Sequence, residues 1–144
     1  MFFNALYLLF FIYNKYIMTY SIILLEAVLV GFYSLLISVL VLNLFKCSIL
    51  LNTFIIGFLK HFISGLIGLQ QYYCSRYIKC DEFALKNLIL ESIGEGVLYV
   101  ILHLVISKFI VVNEYLSFFI MGMLLHISFE GLGIHSSFCK SHCK

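Results

Sequence analysis

The chain has 144 residues, 63% of them hydrophobic and only 11% charged, with no Pro, no Trp and a net charge of +2. Its mean hydropathy is +1.09. A soluble domain of this length cannot hide so much apolar surface, and so small and scattered a positive charge excludes nucleic acid as a partner. Apolar runs of about 20 residues between short polar breaks are the mark of membrane spans. The expected fold is therefore all-α, a polytopic transmembrane helical bundle whose partner is the lipid bilayer.

Residues 1–17 come first. Met1 to Tyr13 is apolar but only about 13 residues long, short for a span. It lacks a basic n-region and a small-residue cleavage site, which disfavours a signal peptide. An interfacial segment, a fifth span reaching Tyr20 and an upstream start codon with the true start at Met18 all fit; the last is preferred.

Four spans follow, at about Ser21–Phe45, Ser48–Leu69, Leu88–Ile106 and Tyr115–Ile134, with a charged linker from Arg76 to Lys86. Leu24 to Lys79 realigns without a gap on Ile89 to Lys144, at a constant offset of 65 residues. Glu26 then meets Glu91, Gly31 Gly96, Gly57 Gly122, His61 His126, Gly68 Gly133 and Cys74 Cys139. Aliphatic matches arise by chance in such sequences, but Glu, His, Cys and Gly in one register point to an internal duplication. Residues 18–80 and 81–144 are thus expected to be two tandem helical hairpins, the second ending in a polar Cys/His tail. Each hairpin has an even number of spans, so both insert the same way round, related by a pseudo-twofold along the membrane normal.

Lys15, Arg76, Lys79, Lys86, Lys140 and Lys144 lie on one side of this arrangement, Lys46 and Lys108 on the other. By the positive-inside rule both termini and the linker face the cytoplasm.

Charged side chains in hydrocarbon cost roughly 2.5–3.5 kcal/mol each on insertion scales, so each needs a reason. Glu26 lies about 8 Å inside the cytoplasmic end of its span and His61 about 12 Å inside that of the next. Neighbouring hairpin helices are antiparallel, so Glu26 is expected level with His61, and Glu91 with His126. Glu95 shares a helix face with Glu91, and Glu130 with His126. Lys60 precedes His61, and His103 aligns with Ser38.

This layer of Glu26, His61, Glu91, Glu95, His126 and Glu130 admits four readings. It could bind a metal pair, as carboxylate–His bundles do, although HxxxE and ExxxE are not the ExxH pattern of di-iron bundles. His61 and His126 could be axial ligands of a haem. The layer could form a small proton or cation channel or transporter. Lastly, Glu–His and Glu–Lys pairs could simply hold helices together. The last is adopted: no cofactor is predicted, with haem or metal as alternatives. The glycines, including the Ser64/Gly68 pair, Gly57, Gly65, Gly94, Gly96, Gly131 and Gly133, are read as helix-packing positions.

Cys74, Cys80, Cys139 and Cys143 fall just beyond the cytoplasmic ends of the second and fourth spans, and Cys47 lies at the opposite face. With His135 and His142 they form a candidate zinc set, though C-x5-C and C-x3-C lack the usual C-x2-C spacing. The absence of CxxC argues against a thiol–disulfide oxidoreductase. On a cytosolic face the expectation is free, reduced thiols, with palmitoylation as an alternative. Disulfides would require the opposite orientation or a dedicated oxidant. No Walker loop, GxGxxG, GxSxG or HExxH is present, so catalysis is not expected.

The segments LLEAVLVGFYSLLI, KHFISGLIGLQQYYC and HISFEGLGIHSSFCK resemble those of small multi-span proteins of large nucleocytoplasmic DNA viruses, over Met18 to Cys139. That resemblance implies a viral or host internal membrane and lends no catalytic residues. The function expected is a structural or assembly role in a membrane, alone, as a homo-oligomer or with other membrane proteins.

Overall fold

The computed structural model describes residues 20–144 in full and, before them, only the helical trace of α1. The readings of residues 1–17 and of a span through Tyr20 lie outside the described residues. The elements in order are α1 (Phe2–Leu44), α2 (Ile49–Leu66), α3 (Leu69–Cys74), α4 (Leu88–Phe109), α5 (Glu114–Gly131) and α6 (Ile134–His142). Among the described residues there is no strand, only an isolated bridge between Phe83 and Cys143. The expectation of an all-helical bundle holds.

Local chemistry sets the helix limits. Ser48 caps α2 by accepting from the Leu51 amide at 3.4 Å, and Asn113 caps α5 by accepting from the Tyr115 amide at 2.9 Å. At their other ends α2 and α5 stop two residues before Gly68 and Gly133, whose φ values of 77° and 69° only glycine adopts cheaply. The second and fourth spans are therefore shorter than expected. Their last residues belong to the separate helices α3 and α6, and α6 is bent 78° from α5.

Among the described residues, three segments are long and apolar enough to cross a membrane, Tyr20–Leu44, Ile49–Leu66 and Leu88–Phe109; the bent pair α5–α6 makes a fourth if it is one span. The distribution of side chains fits that solvent. Leu25, Leu29, Phe32 and Leu36 of α1 and Leu90, Val97 and Ile101 of α4 are exposed, whereas Ser34, Ser38, Thr53 and Ser92 are fully buried. Each buried hydroxyl donates to a carbonyl of its own helix, such as Ser34 to Val30 at 2.9 Å and Ser92 to Leu88 at 2.7 Å. These four hydroxyls are thereby satisfied within their own helices. This is the pattern of an integral membrane protein.

Packing is crosswise. α1 packs chiefly on α5, and α2 on α4, while contacts within each hairpin are sparser. Small residues bring the backbones together. A Cβ at Gly31 would lie 2.9 Å from the Phe119 carbonyl oxygen, and one at Gly96 the same distance from that of Phe54. At Gly57 it would meet the Glu95 carbonyl at 2.9 Å, and at Gly122 the Val30 carbonyl at 3.1 Å. Both contacts recur 65 residues along the chain. Gly65 also packs closely, against Leu88. The packing role assigned to the other glycines needs correction: Gly94 and Gly131 face open space, and Gly68 and Gly133 serve the bends instead.

Candidate functional site

The polar layer forms where α1 and α4 begin their apolar runs and α2 and α5 end theirs. It divides into two clusters, one on each crosswise helix pair. Between α2 and α4, Lys60 is ion-paired with Glu95, whose other oxygen is 2.6 Å from His61 Nδ1. His61 Nε2 lies 3.7 Å from Glu91, and the second Glu91 oxygen takes His142 Nε2 at 2.8 Å. The Lys60 ammonium also lies 5.1 Å from the Tyr99 ring centre, and the buried Tyr99 hydroxyl is 2.8 Å from Ser34 Oγ.

Between α1 and α5, Glu26 is ion-paired with Arg76, and its other oxygen is 3.5 Å from His126 Nε2. Glu130 accepts from the Tyr77 hydroxyl and lies 3.0 Å from His135 Nδ1. Tyr73 closes this ring of contacts, 2.8 Å from the Tyr77 hydroxyl and 3.2 Å from His135 Nδ1. Burial pushes the Tyr77 phenol up from its usual range despite the Arg76 charge, which keeps it a donor.

All six layer residues expected from the sequence are therefore near one end, but their partners differ from the expectation. Glu26 meets His126 rather than His61, and Glu91 meets His61 rather than His126. The physical reason is the crosswise packing: close glycine contacts draw each helix to the opposite hairpin. His103 lies apart, stacked on Phe118. The sequence assigns none of Arg76, Tyr73, Tyr77 and Gln70 to the layer: Arg76 counts toward orientation, the two tyrosines read as interfacial anchors, and Gln70, 3.1 Å from His61 Nε2, marks the end of a span. Of these only Arg76, as the sole Arg of the chain, carried a signal in the sequence.

A cavity of about 360 Å³ opens between the clusters, lined by Glu26, Lys60, His61, Arg76, Glu95 and His126 among others. His61 and His126, the candidate haem ligands, both line it.

The thiols are a second correction. Cys74 is bonded to Cys139 and Cys80 to Cys143, while Cys47 is free and exposed. The expectation of free, reduced thiols fails because α3 and α6 fold back over the same end of the bundle. The four sulfurs offered as zinc donors are paired with one another, and His135 and His142 serve Glu130 and Glu91 instead. Backbone bonds reinforce the joint, with Lys144 donating to Glu82 at 3.1 Å and Ala84 to His142 at 2.9 Å.

Comparison with known proteins finds no match, whether to a family model, a curated protein or a solved structure.

Proposed function

We propose that the chain is a structural or assembly component of a membrane, a four-span bundle of two duplicated hairpins clasped together at one end. One observation carries this reading: every carboxylate of the layer has a cationic or imidazole partner on another element. Glu26 has Arg76 and His126, Glu91 has His61 and His142, Glu95 has Lys60 and His61, and Glu130 has His135. Carboxylates so engaged join helices, whereas a conducting pathway needs groups free to exchange their partners.

Support for the duplication comes from helix limits. α2 and α5 start and stop 65 residues apart, as do the ends of α1 and α4 and the starts of α3 and α6. The matched glycine contacts support it as well. Charge asymmetry supports a cytoplasmic location for the clasped end, where an oxidant must then form the disulfides. A viral or host internal membrane follows from the resemblance of the three quoted segments.

The test is ion flux in liposomes containing the purified protein. A clasp predicts no pH-driven flux above protein-free liposomes, with or without Glu26→Gln plus Glu91→Gln. Flux that those changes abolish would make the layer a conductor.

A further inference from the structure

We propose that Glu26, His126 and Glu130 form a binding site for one divalent first-row transition metal, which would tie α1 to α5. Each residue offers one ligand atom, and the three atoms lie within 4.8 Å of one another. One imidazole and two carboxylates suit zinc, manganese or ferrous iron.

The second observation is a vacancy in the hydrogen bonding. His126 is buried, only 6% exposed, and its Nε2 has no hydrogen-bond partner. The nearest carboxylate oxygen, on Glu26, is 3.5 Å away, too far for a good hydrogen bond. A buried ring nitrogen left unpaired is costly, and a cation between it and the two carboxylates removes that cost. The carboxylates are already oriented from outside, Glu26 by Arg76 and Glu130 by Tyr77 and His135. Metal ligands are commonly braced in this way. The site sets two carboxyl groups against a single guanidinium. Glu26 and His126 also line the cavity, which offers the ion a route in and room for water as a further ligand.

The opposite cluster is a built-in control. At the 65-residue offset, Glu26 and His126 correspond to Glu91 and His61, but Glu130 corresponds to Gly65. The counterpart of Glu130 is missing there, and Glu95, the other carboxylate of that cluster, is already engaged by Lys60 and His61 Nδ1. The site therefore belongs to one cluster only, and it stands whether or not the bundle conducts ions.

The experiment uses the untagged full chain, purified in detergent, stripped with a chelator and titrated with Zn²⁺. The expected result is one equivalent per chain. Glu130→Gln and His126→Gln should each weaken binding by about tenfold or more, while His61→Gln leaves it unchanged. Substoichiometric binding by folded wild-type protein would overturn the site, as would equal weakening by His61→Gln. If the His126 variant does not fold, Cu²⁺ bound to wild-type protein decides by electron paramagnetic resonance. Hyperfine coupling to a single imidazole nitrogen is expected; none, or several, would refute the assignment.

Discussion

Removing Lys60 alone leaves the Glu95 carboxylate, whose side chain is 10% exposed, with His61 as its one remaining ionic partner. Breaking a buried pair from one side typically costs about 3–5 kcal/mol, whereas replacing both partners by apolar groups is often neutral. Lys60→Met should therefore destabilise the bundle severely in a detergent melt, and Lys60→Met with Glu95→Leu should recover most of the loss. If the double variant is as unstable as the single one, the pair is not the main contact of either residue. The glycine contacts make a matching prediction. Gly57→Ala and Gly31→Ala place a Cβ against a backbone carbonyl that cannot swing away, and should each cost about 1–3 kcal/mol. Gly94→Ala, with nothing near it, should be neutral or slightly stabilising in the same melt. At this scale the sequence identifies the layer, because a Glu or His in an apolar run stands out. It does not identify the partners, because adjacency in a hairpin is only one way for two helices to meet.

Between spans and short helices the determining residues are Gly68 and Gly133. Both adopt the left-handed conformation, and both precede a short helix carrying one half of the Cys74–Cys139 disulfide. Alanine at either position must hold a positive φ and should cost about 1 kcal/mol or more, measurable as slower disulfide formation and a lower melting temperature. Replacing Cys74 and Cys139 together by Ser leaves Cys80–Cys143 tying the same two segments, so the loop released is only about a dozen residues, and stability should fall by about 3 kcal/mol on the chain-entropy account. A melt unchanged by that replacement would mean the caps are held by other contacts. The end of the first span and both ends of the third are legible from hydropathy to within a few residues. The bends are not, since a glycine near a helix end reads equally as a packing position. Disulfide connectivity is not legible either, because four cysteines allow three pairings and spacing does not choose among them.

Taken as a whole, the described residues pack α1 on α5 and α2 on α4, with disulfides and ion pairs concentrated at one end and Cys47 at the other. That separation makes Cys47 a natural reporter of orientation. If the clasped end faces the cytoplasm, a membrane-impermeant maleimide added to sealed microsomes, whose outer face is cytoplasmic, should label Cys47 only after permeabilisation. Labelling of the sealed microsomes would reverse the orientation and place the disulfides in the ordinary oxidising compartment.

The crosswise clasp is tested most directly by mapping the cysteines of protein alkylated in the membrane before purification, then digested without reduction and analysed by mass spectrometry. The expected map has Cys74 linked to Cys139, Cys80 linked to Cys143, and Cys47 alone carrying the alkyl group. A Cys74–Cys80 link, or alkylation of all five thiols, would contradict it, because neither hairpin would then be covalently joined to the other.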